Sequence, residues 1–282
     1  MGCQWCLRDI LQALESPDRP LPNLSPHPPY EQLIPQSAQK QLSSFAPSLK
    51  TTQTQPKLPK NSHPRLYSWS LSTAETSAIV HACKQAQTTV HAAICAAFLL
   101  AIARQNQIAA STPLKCCSAV EIRRFLPPIE DDFGVYYILT NTADPIDPDL
   151  SLWELARSIK AQLNRNTAPD QIFAQLPNVD ALMSTLPSPD NIVKMMEMVN
   201  GHDLLVSNLG SLTIPQQYGE LQLAAVHGPS MTSHVDRELE VGVTTLGSQM
   251  SFNLIYSGLD FSIAQIEQLQ HTAMQFLKVG IS

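Results

Sequence analysis

The sequence has little charge, and no charge of one sign is concentrated along it. Charged residues make up 15% of the 282 residues, and the formal net charge is -6. No basic stripe is available to neutralise phosphates, which argues against a nucleic-acid partner. The longest apolar run, residues 90–103, is shorter than the roughly 20 residues that span a bilayer. We therefore expect this run to form a buried core helix, and we expect no membrane span.

Cysteines are few and have no framework spacing. The six stand at positions 3, 6, 83, 95, 116 and 117. Cys3 and Cys6 form a C-x-x-C, but no second Cys or His pair stands at a zinc-like distance, so we expect no metal site. No secretory segment precedes them. These features predict a reduced, cytoplasmic protein.

Proline is concentrated in one part of the chain. Eleven of the 22 prolines lie between residues 16 and 64. Because proline lacks a backbone donor and favours extended neighbours, this segment is predicted to be a connection of 49 residues. A connection of that length is unusual inside one compact domain. We therefore divide the chain into a short helical segment (1–15), a Pro-rich crossover or linker (16–64) and a folded domain (65–282).

Hydrophobic periodicity predicts interleaved strands and helices. Ser72 with Glu75 and Ser262 with Gln265 form two capping boxes, which begin helices. The expected helices cover residues 4–15, 72–87, 89–104, 151–164 and 262–277. The expected strands cover residues 66–71, 114–122, 135–141, 204–210, 220–229, 240–247 and 250–256. Gly247 stands where a tight hairpin turn needs positive φ, so the last two strands form a hairpin. The predicted fold class is α/β, with a two-layer mixed β-sheet and covering helices.

The order of these pieces resembles a known superfamily. The residues that carry the resemblance are the helix from Thr89, the strand ending at Arg123-Arg124, Phe133-Gly134 before an edge-like strand, Val206-Ser-Asn-Leu-Gly210 and Ser251-Phe-Asn-Leu-Ile-Tyr256. Together they resemble the C-terminal portion of the condensation-domain and acyltransferase superfamily. The nearest branches are the alcohol acetyltransferases and the phthiocerol dimycocerosyl transferases. The resemblance implies a chloramphenicol acetyltransferase-like C-terminal subdomain.

The resemblance also sets an expectation about catalysis. Superfamily members carry a motif H-H-x-x-x-D-G before a short helix, which resembles residues 4–15 here. The motif is therefore expected upstream of Met1, and no two of the eight histidines are adjacent. Its second histidine is the general base for attack on an acyl thioester. The resemblance thus implies a chain with no catalytic residue of its own, nearly inactive without an N-terminal half.

The implied reaction transfers an acyl group to a hydroxyl or an amine. The donor would be acyl-coenzyme A or an acyl-carrier protein, with no bound cofactor. The expected partners are an N-terminal half or a carrier protein. The alternatives are a non-catalytic module that binds a carrier protein or an acyl chain, and a remnant with a structural role.

Five residues are candidates for substrate binding. Ser207 and Asn208 offer a hydroxyl and an amide at a strand end, and Gly210 allows close approach to a ligand. The alternative for this segment is a strand end capped by its own side chains. His227 belongs to the segment His227-Gly-Pro229 and is a candidate to line a cleft. Arg123 ends a strand, where it forms a salt bridge or backbone contacts, or binds a phosphate-bearing donor.

A second constellation competes with this assignment. His234 and Asp236 would share one face of a strand, so Asp236 could orient His234. Ser207 or Ser230 would then be the nucleophile. No G-x-S-x-G signal supports this dyad. We prefer loop histidines that line a cleft or face solvent.

Overall fold

Helices and strands alternate along the part of the chain that can be described. The computed structural model describes residues 2–20, 33, 63–126, 134, 136–147, 150–173, 188, 201–230 and 239–279. The helices are α1 (Gly2–Glu15), α2 (Thr73–Gln85), α3 (Val90–Gln105), α4 (Leu152–Asn166) and α5 (Ile263–Val279). The strands are β1 (Pro64–Ser70), β2 (Thr112–Glu121), β3 (Tyr137–Ile146), β4 (Leu204–Ser211), β5 (Gln217–Tyr218), β6 (Leu221–Gln222), β7 (Leu239–Leu246) and β8 (Gln249–Ser257).

Six of the strands form one mixed sheet in the order β1-β8-β7-β4-β2-β3. The three central strands β2, β4 and β7 are parallel. β8 is antiparallel to β7, β1 is antiparallel to β8, and β3 is antiparallel to β2. The short strands β5 and β6 pair separately. The expected α/β class with a mixed sheet is therefore confirmed.

The two faces of the sheet differ in character. Alternate residues of β4, β7 and β8, such as Val206, Val241 and Phe252, pack into the main core with α3. Side chains in a strand alternate between faces, so their neighbours point the other way. We call the first side the helix face. The second is the loop face, because the segment 223–230, here named the crossing loop, contacts it through Gly228 and Pro229.

The apolar run predicted to be a core helix is α3. Its residues 92–103 are all buried, and it contacts α4, α5 and the sheet. A helix that is apolar on every side is stable only when it is covered on every side, and this packing covers it. No single helix of the described ranges is long and apolar enough to cross a membrane. Taken together, α2 and α3 have the length and apolar composition of a span, but the pair is bent by 98°.

The helix starts follow the local signals. Both sides of the capping box are present at Ser72 and Glu75, and Ser262 and Gln265 make the reciprocal bonds before α5. Thr89 accepts from Ala92 N and begins α3. A third capping box joins Ser151 and Glu154 at the start of α4; that helix was predicted from its apolar spacing alone.

Two strand predictions were wrong in extent. The run 220–229 is not a strand: only Leu221–Gln222 pairs, and the rest is turn and crossing loop. The crossing loop bonds instead to side chains of the sheet beneath it. β3 continues five residues beyond Asn141, to Ile146. Asp144 and Pro145 are untypical of a strand, so the sequence did not predict this extension. An edge strand tolerates proline, and the Asp144 carboxylate accepts a hydrogen bond from Gln162 of α4.

Several expectations lie outside the described residues. These are most of the Pro-rich connection (21–32 and 34–62) and Phe133. The edge position expected for the strand after Gly134 is confirmed, because β3 ends the sheet order.

Candidate functional site

The crossing loop is fixed to the loop face by its backbone. Thr244 Oγ1 donates to the carbonyl oxygen of Gly228. The carbonyl oxygen of Pro229 lies against Gly242, so close that a Cβ at position 242 would collide with it. Gly242 therefore permits the loop to lie directly on the sheet. Gly228 has φ 150°, a value that favours glycine.

Asn253 of β8 is the second anchor of the crossing loop. Its amide lies between Ser68 Oγ at 2.8 Å and Ser230 Oγ at 2.9 Å. With its oxygen toward the loop, it accepts from Ser230 Oγ and from Gly228 N at 3.2 Å, and its nitrogen donates to Ser68. Asn253 is 2% exposed, and both ends of its amide are then satisfied, as a buried polar group requires.

Ser207 lies beside the place where the loop crosses. It pairs with Gly242 of β7 and with Ala119 of β2. Residues paired in register present side chains to the same face. Because the Cβ position of Gly242 points at Pro229, Ser207 also faces the crossing loop. The sheet therefore brings the Ser207 hydroxyl and the segment that carries His227 to one region.

Asn208 and Gly210 form a hydrogen bond with each other near the end of β4. Asn208 Oδ1 accepts from Gly210 N at 2.7 Å, and the pairing of β4 with β7 shifts between Asn208 and Ser211. Gly210 has φ 69°, and no atom of the described residues lies within 4 Å of the position that a Cβ would take. Glycine is therefore favoured there by the backbone conformation and not by crowding. Asn208 follows Ser207 in the strand and so points away from the loop face.

His227 is displayed to solvent by the anchored loop. Its side chain is exposed, whereas the next residue, Gly228, is buried. An exposed imidazole on a fixed backbone can donate or accept one hydrogen bond without a large ordering cost to the loop. It is the most accessible of the candidate residues.

Arg123 is held by its own surroundings. Its Nε lies 3.2 Å from Glu121 Oε1, and Nη2 donates to the carbonyl oxygen of Gly134 at 3.4 Å. Its guanidinium also lies 4.5 Å from the centre of the Tyr136 ring. The expected salt bridge and backbone contact are both present. Arg123 follows β2, whose end lies at the same sheet edge as the end of β4.

The carboxyl ends of β2, β4 and β7 define the candidate site. Parallel strands end at a common edge, and ligands of open α/β sheets bind outside that edge. Arg123 lies at this edge. Ser207 is buried in the middle of β4, four residues before the strand ends, and the crossing loop brings His227 to the loop face above it. No cluster of three or more metal-ligating side chains occurs among the residues that the structure describes. His234 and Asp236 lie outside those residues.

The loop anchors were missed at the level of sequence. They are Gly242, Thr244 and Asn253, and Ser230 was weighed only as a nucleophile. A signal was available in the alternation of β7 and β8. Polar or small residues at 240, 242, 244, 251 and 253 alternate with large apolar ones. That period of two marks a polar face even inside a central strand.

Comparisons with known proteins agree with this fold. Residues 60–257 match the family described as the phthiocerol/phthiodiolone dimycocerosyl transferase C-terminus. Comparison with curated protein sequences gives no match.

Three solved structures illustrate the similarity. The trichothecene 15-O-acetyltransferase of Fusarium sporotrichioides is 15% identical, with a TM-score of 0.64 over 99% of this chain and 63% of its own. Polyketide synthase associated protein 5 of Mycobacterium tuberculosis is 13% identical, with a TM-score of 0.63 over 99% and 70%. The epimerization domain of tyrocidine synthetase B is 14% identical, with a TM-score of 0.59 over 100% and 66%.

These similarities have different weight. At such identities the solved structures show the fold alone, and the chain spans 63% of the length of the acetyltransferase. The family match covers more than half of the chain, including β1, α3, the crossing loop and β8. On that match, this chain belongs to the family of phthiocerol/phthiodiolone dimycocerosyl transferase C-termini.

Proposed function

We propose that the chain forms one wall of an acyl-transfer channel and binds the acyl thioester at the loop face. The observation that carries this proposal is the crossing loop. It is anchored across the sheet by Thr244 and Asn253, displays His227 to solvent and lies beside Ser207. A loop with a fixed backbone and an exposed polar side chain suits recognition, because little conformational entropy is lost on binding.

The reaction we propose moves an acyl group from a thioester on coenzyme A or a carrier protein to a hydroxyl or an amine. The acceptor must lose its proton to a general base as its oxygen or nitrogen attacks the carbonyl carbon. Ser207 and His227 are assigned to hydrogen bonds with the donor or the acceptor. Neither is assigned as the base, because the described residues supply no side chain that is seen to orient and activate them.

The base itself is proposed to come from outside this chain. The sequence contains no H-H-x-x-x-D-G motif and no adjacent histidines. A positioned base contributes about 10²–10⁴-fold to rate, so the chain alone should bind thioester and turn it over at background rate. A second polypeptide with the motif would complete the channel.

Binding is the first test, and its probe is palmitoyl-coenzyme A. Isothermal titration should show binding of the acylated donor and weaker binding of coenzyme A alone. His227→Ala and Ser207→Ala should each weaken binding several-fold, on the order of 1 kcal/mol for a lost hydrogen bond. The matched controls are His81→Ala and Ser77→Ala, exposed residues of α2 on the helix side, which should bind like the wild type. Equal binding by all four variants would contradict the assigned site.

Turnover is the second test. Free thiol released from palmitoyl-coenzyme A in the presence of a long-chain alcohol is followed with a chromogenic disulfide. We expect release by the chain together with a polypeptide that carries the motif, and not by the chain alone. Turnover by the chain alone would place the base within it. Binding without turnover under either condition would favour the non-catalytic module.

A further inference from the structure

The helix α1 and the first half of the crossing loop pack against one apolar cluster. This cluster is separate from the main core and is here named the end cluster; its buried members are Leu212, Ile214 and Leu246. Trp5 and Leu7 of α1 pack against it, and so do Leu223 and Val226 of the crossing loop. The acyl-transfer proposal gives α1 no role. The shared cluster nevertheless links this helix to the loop that carries His227.

The helix α1 has few sources of stability within itself. It has 14 residues, with no acidic residue in its first turn and no basic residue in its last turn. An isolated helix of about 12–15 residues is marginal in water, and here no charged side chain in the end turns offsets the helix dipole. Its outer residues Ile10 and Leu14 are 59% and 62% exposed and add little packing. The helix therefore depends on its contacts with the rest of the fold.

A hydrogen bond joins the last residue of α1 to the turn between β5 and β6. Glu15 Oε1 accepts from Gly219 N at 2.6 Å. A carboxylate is unfavourable at the carboxyl end of a helix, but its bond to a backbone N–H is charge-assisted and therefore strong. Leu223 N donates to the carbonyl oxygen of Gln216 at 2.7 Å, so the turn and the start of the crossing loop are held together. Glu15 thus stabilises this turn at some cost to its own helix.

The two halves of the crossing loop are held in different ways. Residues 228–230 are bonded to Thr244 and Asn253 of the sheet. Residues 223–226 rest on the end cluster through Leu223 and Val226. His227 lies between the halves, so its position depends on both sets of contacts.

We propose that α1 positions the first half of the crossing loop, with Trp5 and Glu15 as the positioning residues. Undocking of α1 uncovers the end cluster and frees the turn at Gly219, so residues 223–226 open with it. Such coupling is reciprocal, so a ligand that fixes the loop also stabilises docked α1. A thioester bound at His227 would then protect α1 without touching it. That consequence rests on the proposed function, whereas the positioning of the loop does not.

The first test is hydrogen exchange of the free full chain, resolved to single amides. Trp5→Ala removes the ring from the end cluster without lowering helix propensity. We expect exchange at residues 223–226 to rise at least about fivefold, and exchange at Gly228, Ser230 and α3 to change by less than about twofold. Ile10→Ala is the matched control, since it shortens an exposed side chain of the same helix, and it should leave residues 223–226 unchanged. Unchanged exchange at residues 223–226 in Trp5→Ala would overturn the proposal.

A pair of variants at Glu15 separates positioning from helix stability. Glu15→Gln keeps an acceptor oxygen for Gly219 N and should leave exchange at residues 219 and 223–226 close to the wild type. Glu15→Ala removes the acceptor but favours the helix itself, because Ala has the highest propensity and the charge at the carboxyl end is gone. We expect faster exchange at residues 219 and 223–226 in Glu15→Ala. Slower exchange in α1 with no change in the loop would overturn the role of Glu15.

The reverse direction of the coupling is tested from the loop. Leu223→Ala removes a loop side chain from the end cluster, and we expect faster exchange in α1 and no change in α3. Unchanged exchange in α1 would overturn the coupling. Thermal melting of each variant establishes that it is folded.

The donor is added last, so that the two proposals can fail separately. With palmitoyl-coenzyme A we expect slower exchange in α1 of the wild type and no such change in Trp5→Ala. If the free variants behave as expected but palmitoyl-coenzyme A protects no residue, the proposed function fails and the positioning stands. If palmitoyl-coenzyme A protects the crossing loop but Trp5→Ala leaves residues 223–226 unchanged, the positioning fails and the proposed function stands.

Discussion

The two faces of the central sheet are built from the same strands and have different roles. On the helix face, Val206, Val241 and Phe252 are 0% exposed and pack against α3. On the loop face, their neighbours Ser207, Gly242 and Ser251 are small or polar. The first face gains stability from apolar burial. The second face provides a surface on which the backbone of the crossing loop lies.

The difference between the faces explains how a buried sheet can hold a loop. Burying a polar group is costly unless it is hydrogen-bonded. On the loop face, Thr244 and Asn253 are almost fully buried, and both meet backbone groups of the crossing loop. Thr244 and Asn253 therefore hold the loop in place while their own buried polar atoms are hydrogen-bonded.

The largest loss of stability is expected from a substitution on the helix face of β8, and it is compared with a substitution on the loop face of the same strand. Phe252→Ala removes a fully buried ring that stacks on Trp69 with centroids 5.0 Å apart. We expect a loss of about 3–5 kcal/mol in the free energy of unfolding, measured by urea denaturation. Ser251→Ala, on the other face, removes one bond to Ser70 and should cost about 1 kcal/mol. Equal losses would contradict the different roles of the two faces.

A smaller effect is expected at the contact of the crossing loop with the sheet. In Gly242→Ala the new methyl group would meet the backbone of Pro229, so the loop must move. We expect a cost of about 1–3 kcal/mol and faster hydrogen exchange at residues 226–230. Gly210→Ala is the control: its methyl group would meet no described atom within 4 Å, but the residue has φ 69°. It should cost roughly 1 kcal/mol and leave exchange in the crossing loop unchanged.

Thr244→Val tests one anchor with the shape of the side chain kept. The carbonyl oxygen of Gly228 loses its donor, and we expect a cost on the order of 1 kcal/mol. Hydrogen exchange should rise in the crossing loop and stay unchanged in α3. If both regions respond alike, the anchor is not specific to the loop face.

The helical layer has an ion pair whose effect depends on pH. The hydrogen bond from Lys278 is the first cause that lowers the pKa of Glu75 to about 2, from 4.5. A lowered folded pKa means that this stability is complete above pH 4.5 and is lost as pH falls toward 2. Glu75→Gln should cost roughly 0.5–1 kcal/mol at neutral pH, because the ion pair is exposed. It should also flatten the acid side of a stability–pH curve. Glu154→Gln is the comparison variant for the stability–pH curve. Glu154 also completes a capping box, but no lysine is seen to join it among the described residues.

The smallest effect on stability is expected at His227. Its side chain is exposed, so His227→Ala should change the free energy of unfolding by less than about 0.5 kcal/mol. A larger loss would mean that the imidazole holds the loop in place. Weaker thioester binding by His227→Ala could then not be assigned to the loss of a direct contact.

Local patterns allowed much of the fold to be predicted. Ser72 and Glu75 are three residues apart, so their capping box is legible in the sequence. The apolar run of α3 requires burial on every side, and Gly247, with φ 58°, marks the β7–β8 hairpin. Each of these signals depends on residues within a few turns of each other.

The candidate site was less predictable because its contacts are not local. Thr244 meets Gly228 from 16 positions away, and Asn253 meets Ser230 from 23 positions away. Those pairs form only once the sheet register is set. The apolar residues of 220–229 favoured a strand, yet the crossing loop bonds to side chains of β7 and β8. Ser207 was predicted to lie at a strand end, but β4 continues to Ser211, so Ser207 lies in mid-strand and its neighbour Asn208 faces away.

The proposed binding of the acyl thioester at the loop face can be tested by hydrogen exchange of the full chain. The exchange rate is compared for the chain with palmitoyl-coenzyme A and with coenzyme A alone. We expect slower exchange at residues 226–230 and 207–210 with the acylated donor, and no change in α3. Protection confined to the helical layer, or no protection anywhere, would contradict the proposed site.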